Sequence, residues 1–558
     1  MEHITILKSK CAITCIADSD GDRVQGAWVQ NVDPEMYSDE IIDAVGGMSR
    51  FQIMIIGFAL GPKTITAWGM LMMSFAGVTP DKWWCTDSHV ATNVSEYTGL
   101  KECPAPDNHT TCTFVYSQEK DTVINEWNLL CDMKGIKPLI TAIQMTGVLI
   151  GAFLSGQSAD VIGRKKTLYV SLFLHGGFNL VAAFSVSWEM FIVLRFCIGL
   201  MVGAVLVVSF PYPMEFVGLR WRPVTISIPF WAGGSALLAL TCWLRPNWSD
   251  LHIILAALHI PFFLGYIFVP ESLRWLAVHG KLTEAEKVVD QMARYNRTQK
   301  PANTAILLRK LAEEEKSGRN SNRKYNYSDI YRGWGMCRVS LVHQVVWMIM
   351  SFTYYGISFG VGRLTGNLYL NMFLVSMVSV PSNVLAFFMN NRIGRRWTGF
   401  SFFLLATCGA FGVAIVSRFV ASESTRGAAI VTLALICRLG VASAWSCFLV
   451  FTSESYPTVI RNLGYGAANT AARVGGIVSP YAFAVGGDDL LLPFVIVGSL
   501  MFVCSILSLL SPETMGLPLA DTTVESSGKS NTTETATDKK VHSEEQLNEI
   551  KLNKYIRD

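Results

Sequence analysis

The chain contains 558 residues, of which 51% are hydrophobic and only 16% are charged, and its formal net charge is +3. Soluble globular proteins usually have about a quarter of their residues charged, so this composition excludes an ordinary soluble domain. The mean hydropathy of +0.34 favours a polytopic membrane protein. The net charge is small, and we expect no nucleic-acid partner.

Twelve apolar runs follow one another along the chain, and each is long enough to cross a bilayer. A helix needs about 20 mostly apolar residues to span a hydrocarbon core of about 30 Å. The sequence therefore predicts an all-α protein with twelve transmembrane helices, embedded in a lipid bilayer. The runs cover residues 51–76, 138–158, 167–186, 189–213, 223–243, 251–269, 339–361, 367–388, 397–419, 427–452, 462–484 and 490–511.

Basic residues in the connecting loops predict how the chain is oriented in the membrane. The loop after the second run contains Arg164, Lys165 and Lys166, and the loop after the eighth contains Arg395 and Arg396. Cytoplasmic loops are enriched in lysine and arginine, so these loops are predicted to be cytoplasmic. Both termini are then also cytoplasmic, and we expect a multi-pass protein of the plasma membrane.

Residues 77–137 form an insertion that this orientation places outside the cell. An exposed insert of this size with four cysteines predicts two disulfide bonds in one of three pairings, and free thiols are the alternative. The domain also has two glycosylation sequons and is a candidate surface for a homo-oligomer. The cysteines are Cys85, Cys103, Cys112 and Cys131, and the sequons begin at Asn93 and Asn108.

The remaining segments complete a two-part layout. We expect a cytoplasmic segment at 1–50, a first six-helix bundle at 51–270 and a second at 339–511. Residues 271–338 read as a cytoplasmic linker with amphipathic helices, because apolar residues recur there at helical spacing. The tail at 512–558 is rich in Ser, Thr, Glu and Lys; we expect it to be disordered and open to cytoplasmic regulators.

The two bundles carry a weak internal repeat. MEFVGLRWR follows the fourth run and SESYPTVIR follows the tenth. Glu215 and Arg222 are therefore seven residues apart, as are Glu454 and Arg461, and each pair falls at the inner end of a helix. Two pseudo-symmetric halves joined by a long inner loop are typical of a rocking transporter with its site between the halves.

The loop between the second and third runs reads GQSADVIGRKK. Gly163 permits a tight turn, and Asp160 at a helix end can bond a basic group or a neighbouring helix terminus. This pattern resembles the loop signature of the major facilitator superfamily. The alternative is that the basic residues serve topology alone.

The second half contains a partial copy of this loop, NNRIGRRW, with Asn391 in place of Asp160. Without that carboxylate the second copy loses an ion pair, so we expect the first half to carry more of an inner-gate latch. The residues predicted to form this gate are Asp160, Gly163, Arg164, Glu215, Arg222, Glu454 and Arg461.

Further segments resemble the organic cation, anion and zwitterion (carnitine) transporter family within that superfamily. They include DAVGGMSRFQ, NEWNLLC, RFCIGLMVGA, PESLRWL, TYYGISF, GNLYLN and YPTVIRNLGYG, and they span nearly the whole chain. Leu273 departs from the proline usual in the family. The resemblance implies the major facilitator fold, a central cavity, alternating access and a small amphipathic organic ion as substrate. It implies neither enzymatic chemistry nor a cofactor or metal.

The resemblance leaves the charge of the substrate open. Cation-carrying members tend to place an acid before the eighth-helix proline, where this chain has Ser379, and another in the eleventh helix, where it has Arg473. Anion and carnitine members tend to carry arginine at the latter point. Anion members often add a lysine where this chain has Asn383. The chain therefore matches neither group fully.

Arg473 is predicted to lie near the middle of the membrane. It is twelve residues beyond Arg461, which is about 18 Å at a rise of about 1.5 Å per residue. An arginine there costs about 2.5–3.5 kcal/mol unless it faces water or a partner. Asn469 and glycines recur on its helical face, so we expect a cavity-facing stripe that docks a substrate carboxylate. A structural arginine bonded to a neighbouring helix is the alternative.

Other candidate binding residues surround this prediction. Lys63 should lie at mid-depth in the first run, and Tyr355 and Trp231 are the preferred aromatic wall residues, although helix packing explains many such residues. Arg195 and Arg438 are candidates for structural roles. The middle of the twelve runs contains no Asp or Glu, and a basic cavity favours anions or zwitterions over simple cations.

Three functional hypotheses follow from the sequence. The first is a carrier of organic anions or carnitine-like zwitterions. The second is a polyspecific organic cation transporter that uses aromatic faces without a buried acid. The third is a transporter-like receptor or scaffold, which the intact loop signature and the polar-striped helices disfavour.

Overall fold

The computed structural model describes residues 34–80, 83–87, 112–116, 121–222, 225, 228–320, 326–457, 459–485 and 489–516. The predicted glycosylation sites Asn93 and Asn108, Cys103 and tail residues 517–558 lie outside these ranges.

Twelve long helical segments lie on the twelve predicted runs. Nine of them are long and apolar enough to cross a membrane, judged within the described residues. The segments are α1 (Arg50–Ala76), α2 (Ile136–Ile162), α3 (Arg164–Ala182), α4 (Trp188–Val208), α5 (Phe230–Leu244), α6 (Trp248–Phe268), α7 (Trp334–Phe359), α8 (Leu368–Ile393), α9 (Arg395–Phe419), α10 (Glu423–Glu454), α11 (Arg461–Val485) and α12 (Leu491–Leu510). The three outside the nine are α3, which starts with basic residues, α5, which has only 15 residues, and α11, which is rich in small and polar residues.

Three of these segments are interrupted close to a proline. In α1 a π-helical turn, Ile56–Leu60, leads into Gly61 and Pro62, and a regular helix resumes at Lys63. A proline cannot donate a backbone hydrogen bond and clashes with the preceding turn, so a helix interior breaks there. The pieces are Arg50–Ile55, Lys63–Leu71 and Met73–Ala76 in α1, Trp248–Leu258 and Ile260–Phe268 in α6, and Leu368–Met377 and Ser379–Ile393 in α8.

The outer insertion contains a two-stranded antiparallel sheet. Strand β1 (Trp83–Asp87) pairs with β2 (Cys112–Tyr116), and Trp83 lies opposite Tyr116. A short helix, Val123–Glu126, and a 3-10 turn, Cys131–Met133, lead into α2. Cys131 is disulfide-bonded, while the pairing of the four predicted cysteines stays a prediction.

Short helices cover the ends of the long helices that carry the basic loops. Most of them pack against the first half, and Ala285, Val289 and Met292 are buried on one of them. Asn296 ties that helix to the start of α1, because its side chain accepts from the Phe51 amide at 2.9 Å. The turn Tyr327–Tyr331 packs on the second half, where Ile330 is buried beside Tyr456 and Ile460. The helices and turns are Pro34–Ala44, Pro211–Met214, Leu219–Trp221, Leu273–Val278, Leu282–Asn296, Thr304–Asn320 and Tyr327–Tyr331.

The two halves touch each other at the ends that the sequence predicts to be extracellular. The Ser74 hydroxyl at the end of α1 donates to the Ser358 carbonyl at the end of α7, at 2.9 Å. The rings of Phe75 and Tyr369 stack with centroids 5.9 Å apart, which joins α1 to α8. These contacts close the space between the halves on the outer side.

Close approach of helices inside each half depends on glycine. A Cβ built on Gly234 of α5 would lie 2.1 Å from the Thr64 carbonyl oxygen of α1, beside Lys63. Gly233, the preceding residue, faces open space, since a Cβ there meets no atom within 4 Å. The backbones of α1 and α5 therefore pack in direct contact at Gly234.

This pair of neighbouring glycines allows a matched test of the packing. Gly234→Ala should lower the free energy of unfolding by about 1–3 kcal/mol, because the new methyl group forces two backbones apart. Gly233→Ala should leave the stability unchanged or raise it slightly, since alanine favours the helix. Thermal unfolding of the purified protein measures both changes. Equal melting temperatures for the two variants would contradict this account of the interface.

Candidate functional site

Direct packing of α11 on α7 positions the central arginine. A Cβ built on Gly475 would lie 2.0 Å from the Met348 carbonyl oxygen, so only glycine permits this approach. Arg473, two residues earlier, is the middle residue of α11, twelve positions from Arg461 and twelve from Val485. Its guanidinium lies near the side chain of the buried Tyr355 of α7. The two candidates that the sequence placed on different helices are therefore in contact.

Arg473 keeps hydrogen-bonding capacity beyond this contact. The residue is half-buried. Its Nε atom is buried and has no hydrogen-bond partner among the residues that the structure describes. Half-buried Asn469 lies one turn closer to the cytoplasmic end. A Cβ on Gly476 would approach both Tyr355, at 3.5 Å, and Met145 of α2, at 3.7 Å. This face of α11 consequently lies between the two halves.

An aromatic cluster continues from Tyr355 along α7 and across to α10 and α11. Tyr354 contacts both Tyr355 and Trp445, with ring centroids 5.4 and 5.5 Å apart. Trp347 contacts Trp445 at 5.3 Å and Tyr465 at 5.7 Å. Trp445 and Tyr465 are both half-buried, so part of each ring is open to a ligand.

Sequence reasoning missed Trp445 and Tyr465 as site residues. A usable signal exists for Trp445, because it is the one large ring in the small and polar stretch ASAWSC. Tyr465 has a weaker signal in GYG, next to the polar stripe of α11. Only the packing of α7, α10 and α11 shows that these rings adjoin Trp347.

Arg438 has a structural role next to this cluster. It is buried on α10, and its Nη1 atom donates to the Tyr354 carbonyl at 2.7 Å. The guanidinium carbon lies 3.4 Å from the centre of the Tyr354 ring. Arg438 thereby holds Tyr354 in place through a cation–π contact and a charge-assisted hydrogen bond, and it adds a second positive charge.

Lys63 on α1 and Trp231 on α5 lie on neighbouring helices of the first half. Lys63 begins the regular helix after the break in α1, and its Nζ atom lies 5.0 Å from the centre of the Phe210 ring. The Thr64 hydroxyl donates to the Phe230 carbonyl at 3.3 Å, which brings half-buried Trp231 beside α1. The charge of Lys63 therefore lies near an aromatic ring, and no acidic side chain pairs with it among the residues that the structure describes.

Of the two candidates on α8, Asn383 contacts α10. The Ser446 hydroxyl donates to Asn383 Oδ1 at 2.7 Å. The Ser379 hydroxyl is buried and has no hydrogen-bond partner in the described part of the chain. The site residues thus form three groups: Arg473 with Tyr355, Lys63 with Trp231, and the polar side chains of α8.

At the inner end of the first half, Arg164 bridges two acids. Its Nε atom lies 2.8 Å from Glu215, and its Nη2 atom lies 3.5 Å from Asp160. Glu215 also accepts from the Ser272 hydroxyl. Burial raises the pKa of Glu215 above its usual value, and Arg164 and Ser272 oppose that shift. Gly163 has a φ of 116°, which favours glycine, and leaves room for the Glu271 carboxylate.

The second half repeats this arrangement. Arg395 binds Glu454 through Nε and Nη2, both at 3.0 Å. The Thr514 hydroxyl donates to Glu454 at 2.6 Å. Arg395 also donates to the Asn390 carbonyl at 3.2 Å. A two-point ion pair therefore persists without the carboxylate that Asn391 replaces, and the weaker second latch stays a prediction.

Two glutamates that the sequence analysis did not single out complete these networks. Glu271 accepts from the Lys165 amide at 3.0 Å, and Glu513 accepts from the amides of Arg395 and Arg396 at 2.9 and 3.1 Å. Each carboxylate thus binds the amino end of a helix, where the helix dipole favours negative charge. The available signal was the repeated proline–glutamate after the sixth and twelfth runs.

Not every predicted gate residue joins its sequence partner. Glu215 pairs with Arg164, while Arg222 binds Asp39 at 2.6 Å, which ties the N-terminal helix to the loop after α4. Glu454 likewise pairs with Arg395. The seven-residue spacing therefore marks equivalent places in the two halves rather than an ion pair within each motif.

Comparisons with known proteins place the chain in a family. The family model described as sugar (and other) transporter matches residues 104–525. The human organic cation/carnitine transporter 2 is 32% identical over 72% of this chain and 71% of its own length. The chain belongs to the organic cation/carnitine transporter family of the major facilitator superfamily. Human solute carrier family 22 member 16 is 31% identical over 76% of this chain and 73% of its own.

The fold predicted from the family resemblance is confirmed. The inward open xylose transporter XylE of E. coli has a TM-score of 0.59 and 16% identity, and covers 83% of this chain and 97% of its own. At this identity the likeness shows the fold alone, which is the all-α major facilitator fold. As a member of the organic cation/carnitine transporter family, the protein is a multi-pass membrane transporter of small organic substrates and not an enzyme.

The inner ion pairs can be tested against an exposed pair. Glu454→Gln leaves the half-buried Arg395 without its charged partner, and we expect the free energy of unfolding to fall by about 1–3 kcal/mol. Glu313→Gln is the control, because Glu313 and Arg309 form a solvent-exposed pair in the linker and such pairs contribute about 0–1 kcal/mol. Thermal unfolding measures both, and equal shifts would contradict a structural role for the inner pair.

Proposed function

We propose that this protein carries small carboxylate-bearing organic ions across the plasma membrane by alternating access, with carnitine-like zwitterions as the preferred class. The observation that carries the proposal is Arg473 at the centre of α11, with a buried and unpartnered Nε atom. It faces the space between the halves, next to a half-buried aromatic cluster. One end of this site suits a carboxylate and the other suits a quaternary ammonium group.

The carboxylate end rests on Arg473 and Tyr355. A guanidinium binds a carboxylate through two parallel hydrogen bonds, which supply geometry as well as energy. We expect Tyr355, which lies near the Arg473 guanidinium, to hold that side chain in one position before the substrate arrives. A positioned arginine loses less conformational entropy on binding, so this contact supports affinity for a carboxylate.

The ammonium end rests on the rings of Trp445 and Tyr465. A cation over an aromatic face gains about 0.5–2 kcal/mol, and tryptophan binds best. One face of Tyr354 is already covered by Arg438. The half-buried rings of Trp445 and Tyr465 are therefore the better surfaces for a substrate cation.

The balance of charge supports a zwitterion over a simple cation. Lys63, Arg438 and Arg473 lie inside the helices, and no Asp or Glu lies in the middle of any predicted run. A cation without a carboxylate would approach this site against net repulsion. The human relative named organic cation/carnitine transporter 2 supports the carnitine-like class. The aromatic cluster is the one feature of the site that favours the competing function, polyspecific cation transport.

The movement that we propose uses both ends of the helices. The outer contacts of α1 with α7 and α8 would separate when the site opens to the outside. The paired networks around Glu215 and Glu454 would then form the inner gate with Asp160, Gly163 and Arg164. The bias of basic residues toward inner loops supports cytoplasmic termini.

Substitution of Arg473 tests the carboxylate end. Arg473→Ala should reduce the kcat/KM for labelled carnitine uptake by about 10-fold or more, because a charge-assisted bidentate pair contributes about 1.5–3 kcal/mol. Arg473→Asp should abolish carnitine uptake and favour a quaternary ammonium ion without a carboxylate. Arg418→Ala, which removes an exposed arginine at the end of α9, is the control and should leave uptake unchanged. All variants are compared at equal surface expression.

A different result would favour the cation hypothesis. If the wild type carries the simple quaternary ion best and Arg473→Ala leaves that uptake unchanged, the proposed substrate charge is wrong. If the surface-located wild type carries none of the three probes, a carboxylate, carnitine and the quaternary ion, then the proposed substrate class is wrong.

Substitution of Trp445 separates the two ends of the site. Trp445→Ala should raise the KM for carnitine by about 3- to 30-fold, which corresponds to the loss of a cation–π contact. Uptake of a simple carboxylate of similar size should change little. Trp445→Phe should restore part of the carnitine affinity because it keeps an aromatic face. Equal losses for both substrates would instead assign Trp445 to helix packing.

A further inference from the structure

A second group of polar side chains is buried within the first half, near its outer end. Arg195 lies on α4, Gln144 on α2, His175 on α3, and His252 and His259 on α6, and all five are buried. The transport site proposed above uses none of them. Their hydrogen bonds leave several buried polar atoms without a partner, which points to a bound group.

Arg195 uses only part of its hydrogen-bonding capacity. Its Nη2 atom donates to Gln144 Oε1, and Gln144 Nε2 donates to the Gly69 carbonyl at 3.1 Å. Its Nε and Nη1 atoms are buried and have no hydrogen-bond partner among the described residues. Leaving a guanidinium buried with unused donors costs several kcal/mol, so such groups are usually paired.

The helices around Arg195 supply no buried counter-charge. Their acidic residues are Asp160, at the inner end of α2, and Glu189 and Asp250, in the first turns of α4 and α6. Glu189 is exposed to solvent. A buried positive charge without a buried acid favours a bound anion.

The hydrogen bonds among the histidines determine where their protons lie. His259 Nδ1 faces the Leu255 carbonyl at 2.8 Å, so Nδ1 carries a hydrogen and, in the neutral ring, Nε2 is an acceptor. His175 Nδ1 lies 2.7 Å from that Nε2 atom and must donate to it. The Nε2 atom of neutral His175 therefore carries a lone pair.

A hydrogen bond with Asn179 places the hydrogen of neutral His252 on Nδ1 as well. The Asn179 Nδ2 atom donates to the His175 carbonyl at 2.7 Å, so its Oδ1 atom accepts from His252 Nδ1 at 3.0 Å. Neutral His252 then also presents a lone pair at Nε2. The Nε2 atoms of His175 and His252 are both buried and lack a hydrogen-bond partner in the described part of the chain.

The four unpartnered atoms are Nε and Nη1 of Arg195 and the Nε2 atoms of His175 and His252. Phe191 packs against both His252 and Arg195, with its ring centre 5.7 Å from the His252 ring and 5.8 Å from the guanidinium carbon. His175 Nε2 lies 2.6 Å from the position of a Cβ on Gly69, whose carbonyl holds Gln144. His252 and Arg195 thus contact the same ring, that of Phe191, while His175 faces the backbone of α1.

We propose that Arg195 binds a small inorganic anion such as chloride, held by its Nε and Nη1 atoms. The anion neutralises the guanidinium and accepts its two unused hydrogen bonds. Water can join two donors to two acceptors as well, but it leaves the charge uncompensated.

Thermal unfolding of the purified full-length protein tests this proposal. We compare sodium chloride with sodium gluconate at equal ionic strength, near pH 6 and near pH 8. Saturating chloride should raise the melting temperature by about 2 °C or more, because a ligand that binds only the folded state stabilises it. Identical melting curves in the two salts at both pH values would overturn the proposal and assign the space to water.

Three variants locate the effect. Arg195→Gln should remove the chloride-dependent shift, and His252→Gln should keep it, because Arg195 supplies the two donors that hold the anion. Arg473→Gln is the matched control, because Arg473 also has a free Nε atom, and it should retain the full shift. If Arg473→Gln removes the shift, the anion binds at the transport site and the proposal is wrong. If Arg195→Gln does not fold, the other two variants still decide. The readout is stability, so this result is independent of the uptake experiments.

Discussion

A guanidinium group inside a bilayer must find hydrogen-bond partners or water, because the hydrocarbon offers neither. Three arginines of this protein meet that constraint in different ways. Arg438 is held by the Tyr354 carbonyl and ring and Arg195 by Gln144, while Arg473 lies near Tyr355. All three keep a buried Nε atom without a hydrogen-bond partner in the described part of the chain. Arg438 differs because the ring of Tyr354 lies 3.4 Å from its guanidinium carbon and covers its charge.

Charge placement at the ends that carry the basic loops follows a second rule, which both halves obey. A glutamate after the last helix of each half, Glu271 or Glu513, accepts hydrogen bonds from the amino end of a helix that begins after a glycine in a left-handed conformation. An arginine from that helix binds Glu215 or Glu454. The halves have diverged in sequence, but they retain this set of contacts because each one satisfies a helix end and a charge together.

The substrate site depends on how closely the helices approach one another. Gly475 lets α11 lie directly on the backbone of α7, and Gly234 does the same for α5 on α1. The first contact brings Arg473 to Tyr355, and the second brings Trp231 beside Lys63. Aromatic rings from α7, α10 and α11 then share one surface. A carboxylate and a quaternary ammonium group a few ångströms apart match this arrangement of a free guanidinium and partly open rings.

The sequence by itself determined the number, order and depth of the helices. Apolar runs report helices directly, because a membrane-spanning segment must bury its backbone in regular hydrogen bonds. It also placed Arg473 at mid-helix, since the rise per residue is constant. Even the repeated loop motifs were visible, although the proline–glutamate pairs at Glu271 and Glu513 were not recognised as part of them.

Only the tertiary structure decided which of these residues meet. Nothing in the spacing of Glu215 and Arg222 shows that each binds a different partner, Arg164 and Asp39. The sequence likewise could not show that Trp445 and Tyr465 adjoin Trp347, or that Arg195 and His252 contact the same ring. Helical periodicity tells which face a residue occupies. The contacts across helices depend on packing between segments that are far apart in the chain. The local sequence pattern does not indicate that packing.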